Sequence, residues 1–248
     1  MKEEKELNKK ENQKIKPTVP GTTDKENKVA KFQNYIQTNS KLIIYVSVGI
    51  IVVTALFFLI KAKLESSAEE NKNLASTAVS RILPYFQSGD YQSALYGDST
   101  KRMRDQDIIG LVAIVDRYES TPQGKVAALY AGNSFLSLNK PEEAIKYFKI
   151  ALDSKGEVVL QGANAGLGAT FETTNNFEEA VKYYAKAAEL SITVATKNRY
   201  QYYTAVCYEK KGDKTNAEKI YRDIISEGGS EFVGLSKIGL IRIGTIID

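Results

Sequence analysis

Apolar and polar positions divide the chain into three stretches. Large apolar side chains are almost absent before Val29. From 42 to 60, LIIYVSVGIIVVTALFFLI, an uncharged apolar run lies between Lys41 and Lys61. Beyond it, apolar positions recur at three- and four-residue spacing, in segments parted by Gly, Pro, Asn and Asp. The first stretch, 1–41, cannot bury enough surface to offset its ordering entropy and reads as a disordered charged tail. The second has nineteen residues; at about 1.5 Å each they give roughly 28 Å, close to the roughly 30 Å hydrocarbon core, so it reads as one transmembrane helix. The third predicts about nine helices and no strand.

Within the third stretch the spacing repeats. Gly132, Phe135, Ala144, Phe148 and Ala151 recur as Gly168, Phe171, Ala180, Tyr184 and Ala187, each 36 positions later. They recur again, 37 further on, as Ala205, Tyr208, Ala217, Tyr221 and Ile224. A small residue on the first helix of a pair admits the second helix closely, and the aromatic three residues on fills the space beside it. On the second helix, Ala144, Ala180 or Ala217 faces the first helix, and the aromatic four residues later packs toward the next pair, because i and i+4 share a face. Asn139-Lys140-Pro141, Asn175-Asn176 and Gly212-Asp213 supply the turns and caps between them.

This pattern resembles the tetratricopeptide repeat. It implies an α-solenoid over 61–248, which together with the single N-terminal transmembrane helix at 42–60 makes an all-α chain. Clear repeats are predicted at 125–156, 161–192 and 198–229, after a degenerate pair over 64–98, where Ser88-Gly89-Asp90-Tyr91 and Ala94 repeat the turn and the alanine. A connecting amphipathic helix is predicted at 106–124, centred on 107–118, and a capping helix at 230–248.

Charge changes the picture less than the pI of 8.8 suggests. The tail holds ten Lys against six Asp or Glu, the whole of the net +4, which leaves the rest of the chain formally neutral and without a nucleic-acid-binding balance. The apolar run is followed by Lys61-Ala62-Lys63 rather than a small-residue cleavage pattern, so it reads as an uncleaved signal anchor. Lys28, Lys31 and Lys41 before it equal Lys61, Lys63 and Lys72 after it. The lysine-rich tail, and the tendency of large domains to translocate regardless of charge, favour the tail inside and the repeats outside. The reverse orientation would make this a cytoplasm-facing receptor, as in mitochondrial import receptors with an N-terminal anchor.

Catalytic chemistry is sparse. The chain has no His and one Cys, Cys207, set in a helix between Val206 and Tyr208, where a packed thiol is expected. Glu142-Glu143 and Glu178-Glu179 fall at second-helix starts, where they meet the helix dipole. The glycine-rich run 162–168 ends on a repeat packing position with no strand before it, which argues against a phosphate loop. The expectation is no enzyme, no cofactor, no metal and no small-molecule substrate.

What remains is a surface for proteins. The repeat frame places Val126, Leu129, Asn133 and Leu136, then Ala165, Ala169 and Glu172, then Arg199, Tyr202, Val206 and Glu209 along the inner face made by first helices; ordinary packing or solvent exposure also accounts for each. Some tetratricopeptide domains grip a C-terminal carboxylate with Lys, Asn and Arg on this face. Asn133 fits that pattern, but Leu129 and Gly162 stand where bases are needed.

Ala94-Leu95-Tyr96-Gly97-Asp98, then GLVAIVDRYESTPQGKVAALYAGNSFLSLNKPEEAI and the closing SKIGLIRIGTIID, are similar to the bacterial YfgM-type proteins, ancillary subunits of the SecYEG translocon. The resemblance implies an inner-membrane protein with a periplasmic domain that associates with SecYEG and the periplasmic chaperone PpiD near emerging, unfolded clients. The alternative is a structural scaffold subunit of another envelope complex, in secretion, division or motility.

Overall fold

The computed structural model describes residues 24–103 and 106–245. The chain falls into two units, 1–63 and 64–248.

In the first unit, α1 spans Asp24–Thr38 and α2 begins at Ser40 and runs to Gln87. The tail was expected to lack structure up to residue 41. From Asp24 onward it is instead helical, because Val29, Phe32 and Ile36 recur at helical spacing in a segment free of Gly and Pro; residues 1–23 of that tail lie outside the described residues. At Asn39, between the helices, the amide still donates to Tyr35 O at 3.0 Å. Residues 42–60 fall inside α2, and none of its most apolar window is buried. Thr54 carries its hydroxyl there by donating back to Ile50 O and Ile51 O, both at 2.9 Å.

In the second unit, nine helices follow α2 among the described residues. The part of α2 beyond Leu64 acts as the first helix of the degenerate pair: Ile82 is sealed in the core, and Phe86 meets Tyr91 and Tyr130 rings at 5.8 and 4.7 Å. Its partner is the short α3, Tyr91–Tyr96. Then come α4 (Leu111–Tyr118), α5 (Pro122–Ser137), α6 (Pro141–Ala151), α7 (Glu157–Thr173), α8 (Phe177–Glu189), α9 (Val194–Lys210), α10 (Lys214–Glu227) and α11 (Phe232–Ile243). The predicted cap is α11, and residues 246–248 of it lie outside the described residues.

One departure from an all-α chain lies between α3 and α4. Strands β1 (Gly97–Met103) and β2 (Gln106–Ile109) form an antiparallel hairpin, pairing Gly97 with Ile109 and Asp98 with Ile108. The connecting helix predicted for 106–124 is therefore a strand, α4 and the first turn of α5. Two glycines decide this. A Cβ at Gly97 (φ 89°) would lie 2.2 Å from Ile108 O, and one at Gly110 would lie 2.2 Å from Leu95 O. The backbones cross where only glycine fits. Asp98 fixes the start of the hairpin, accepting from Tyr85 Oη at 2.8 Å and Thr100 N at 2.9 Å.

The turns inside the pairs are copies of one another. Gly89, Asn139, Asn175 and Gly212 all take left-handed backbone, with φ of 80°, 55°, 58° and 82°. The amide after each closes back on the helix: Asp90 N to Tyr85 O, Lys140 N to Phe135 O, Asn176 N to Phe171 O and Asp213 N to Tyr208 O, at 2.8–3.0 Å. Asp90, Asn176 and Asp213 then cap the second helix, and Pro141 opens it where the cap is Lys140. The degenerate pair thus shares its turn with the clear repeats. Ala94, Ala144, Ala180 and Ala217 are all fully buried.

One aromatic on each second helix fills the space inside its pair and the junction to the next element. A Cβ on Gly132 or Gly166 would strike the Phe148 ring, one on Gly168 the Tyr184 ring, and one on Gly239 the Tyr221 ring, all within 2.3–2.6 Å. The glycine-rich run of α7 is thus a packing seam. Phe135 stacks on Tyr147 and Phe171 on Tyr183, with centroids at 5.1 and 5.5 Å.

Candidate functional site

The expected lining residues all lie on the first helices α5, α7 and α9. Arg199 is exposed, and the other ten are half-buried, at the surface of the core rather than inside it. Leu129 and Leu136 pack on the core from outside. Leu129 also lies over Gly162, where a Cβ would come within 3.0 Å of its side chain. The two positions that a carboxylate clamp needs as bases are thus a packing contact between α5 and α7. Asn133 turns its amide inward along its own helix, donating to Leu129 O at 3.0 Å. Val126 borders a cavity of about 520 Å³ that Lys125, Asp153, Lys155 and Val159 also line.

The two acids in the set are engaged. Glu172 accepts from the Tyr184 hydroxyl at 2.9 Å and from Lys210 Nζ at 2.8 Å. Glu209 accepts from the Tyr221 hydroxyl at 2.9 Å and from Arg242 Nη2 at 2.7 Å, with Arg242 Nε on its other oxygen. In each case a first-helix carboxylate holds its own second helix through a tyrosine and the next first helix through a cation. Arg242 holds the Glu209 carboxyl below the usual carboxylate range, and burial, followed by the hydrogen bond to Glu209, pushes the Tyr221 phenol up. The same positions in the first clear repeat are Leu136 and Phe148, 36 residues before Glu172 and Tyr184. With its carboxylates committed, the face offers mainly Val126, Leu129, Leu136, Ala165, Ala169 and Val206.

At the third repeat the lining merges into α11. Arg199 sits over the Phe232 ring at 6.0 Å, and Tyr202 meets the Tyr221 and Phe232 rings at 5.9 and 5.5 Å. Cys207 is fully buried against Ala180 and Tyr184, and burial pushes its thiol up to about 12, which keeps it protonated and inert.

A polar series escaped the sequence reading. Lys125, Gln161 and Asn198 stand 36 and 37 residues apart, and each ties the start of a first helix to the segment after its second helix. Lys125 Nζ lies 3.6 Å from Asp153 and from Glu119. Gln161 Nε2 donates to Ser191 Oγ at 2.8 Å, and Asn198 Nδ2 donates to Gly228 O and Ser230 Oγ, both at 3.0 Å. The residue type changes at every repeat, so only its polarity at a fixed spacing could have revealed it.

Comparison with known proteins agrees with this geometry. The chain matches the tetratricopeptide repeat family over residues 129–195 and again over 166–231. It is also similar to the chloroplastic protein FLUORESCENT IN BLUE LIGHT of Arabidopsis thaliana, 28% identical over 141 residues, 54% of this chain. The chain spans 42% of that relative's length. Over 129–231, from within α5 to the end of α10, the helix pairs are thus similar to tetratricopeptide repeats.

Proposed function

We propose that this is a membrane-anchored protein-binding module. Residues 42–60 cross the membrane, and the first helices α5, α7 and α9 take up an apolar segment of a partner protein. The observation that carries the reading is the row of half-buried apolar side chains that remains once Glu172 and Glu209 are committed to Tyr184, Lys210, Tyr221 and Arg242. Such a row suits an apolar stretch of polypeptide better than an acidic tail or a terminal carboxylate. Capture is non-covalent, and tethering to the membrane raises the effective concentration of the surface for clients that emerge there.

In the finer form of the reading, the tail is cytoplasmic and the repeats are extracytoplasmic at a bacterial inner membrane. There the protein attends the SecYEG translocon with the periplasmic chaperone PpiD. Photo-crosslinking from positions 129 and 206 in intact membranes tests this. Translocon subunits together with unfolded clients are the expected catch. One envelope complex in fixed stoichiometry, without clients, would replace this reading with a scaffold. Cleavage of the repeats by protease added to intact spheroplasts is expected, because the outward topology exposes them beyond the inner membrane; protection would reverse the topology.

A further inference from the structure

Helix α1 carries an exposed apolar stripe. Val29, Phe32, Tyr35 and Ile36 are 54, 64, 59 and 39% exposed, and the first, second and fourth share one face of the helix. A soluble segment gains nothing by holding two aromatic and two branched side chains in water. Charge says what covers them. Residues 28–41 carry Lys28, Lys31 and Lys41 and no acid, whereas 61–72 carry three Lys and three Glu. With Asp24, Lys25 and Glu26 of the first turn of α1 included, the strip 24–41 carries a net +2, and the strip after the apolar run is neutral. Lys31 and Lys41 are exposed, and long lysine stems can lie along an apolar face while the ammonium reaches phosphate. An apolar stripe flanked by lysines and placed directly before a spanning helix matches an interfacial helix on an anionic leaflet.

We infer that α1 binds the anionic phospholipid headgroups of the leaflet on its own side, with Phe32 and Ile36 at the acyl boundary and Lys31 and Lys41 on the phosphates. The inference rests on the reading that 42–60 spans the membrane. It makes the anchor a two-part device that prefers acidic lipid.

The chain contains no Trp, so single tryptophans report position in the full-length protein. Phe32→Trp and Phe57→Trp variants are reconstituted into vesicles of phosphatidylcholine alone or with phosphatidylglycerol, and quenching by brominated acyl chains is read. Quenching of the Trp at 57 in both lipids, and of the Trp at 32 only with phosphatidylglycerol, is expected. Replacing Lys31 or Lys41 by Gln in the Phe32→Trp protein should lower partition of α1 about five-fold per lysine. Quenching at 57 with none at 32 in either lipid overturns the inference and leaves the anchor standing. Absence of quenching at 57 overturns both. Shielding at 32 that ignores lipid charge and fades on dilution of the protein in lipid assigns the stripe to a second copy of the chain and overturns the inference as well.

Discussion

The junction after the first clear repeat and the junction after the third use one position in opposite ways. At the first, Phe148 is fully buried between Gly132 and Gly166, with Leu136 on the preceding first helix. At the third, Tyr221 is equally buried and lies against Gly239, but its hydroxyl donates to Glu209, which Arg242 of α11 clasps. The middle junction is intermediate: Tyr184 donates to Glu172 and meets the Tyr203 ring at 5.3 Å in place of a glycine. Helix α5 packs on α7 and α9 on α11, whereas α7 and α9 stay further apart. One repeat frame therefore accepts an apolar seam or a charged latch, because the aromatic supplies the bulk in both and only its tip differs.

The comparison can be broken most forcefully at Phe148. Phe148→Ala should cost about 3–5 kcal/mol in urea unfolding of the full chain. Tyr221→Phe keeps the ring and should cost only about 1 kcal/mol through its lost hydrogen bonds. Gly166→Ala comes next. Its Cβ would sit 2.3 Å from the Phe148 ring, and overpacking of about 1–3 kcal/mol should exceed the roughly 1 kcal/mol that alanine gains over glycine in a helix. Gly234→Ala, with nothing within 4 Å of its Cβ, should instead stabilise by up to about 1 kcal/mol.

Acid weakens the charged latch and leaves the apolar seam at Phe148 untouched. Arg242 depresses the native pKa of Glu209, so its stabilisation is fully present above the unfolded value of about 4.3 and is lost as pH falls through the lower native value. Glu209→Gln should cost about 1–2 kcal/mol at neutral pH and flatten the acid limb of the stability curve. An unchanged acid limb would show that the latch contributes nothing. The smallest effect on stability is expected at Val206→Ser, within roughly 1 kcal/mol for a half-buried side chain, yet it should reduce partner capture.

Much of this was legible in the chain. The 36- and 37-residue spacing marks the three clear pairs, because small and aromatic residues answer to local helix contacts that sequence order preserves. The turns at Asn139, Asn175 and Gly212 were legible too, since left-handed backbone favours Asn and Gly. The hairpin was not. Ile108 and Ile109 continue the apolar rhythm of 111–118, and only the three-dimensional crossing at Gly97 and Gly110 shows why helix cannot begin there. Helix α1 was hidden by the charge of the segment around it. In the candidate site the frame placed the residues on the first helices α5, α7 and α9 but could not show that Glu172 and Glu209 were engaged. Their partners Lys210 and Arg242 stand 38 and 33 positions on, outside the repeat spacing.

The proposed protein-binding surface along α5, α7 and α9 is tested most directly by one measurement. A photo-reactive residue is placed at 129, 165 or 206 on the first helices, and at 146 or 182 on the second helices, in the full-length protein in native membranes. Adducts with a polypeptide partner from the first-helix positions, and none from 146 or 182, are predicted. Equal labelling from both sets, or labelling from the second helices alone, would contradict the account and move the binding surface elsewhere.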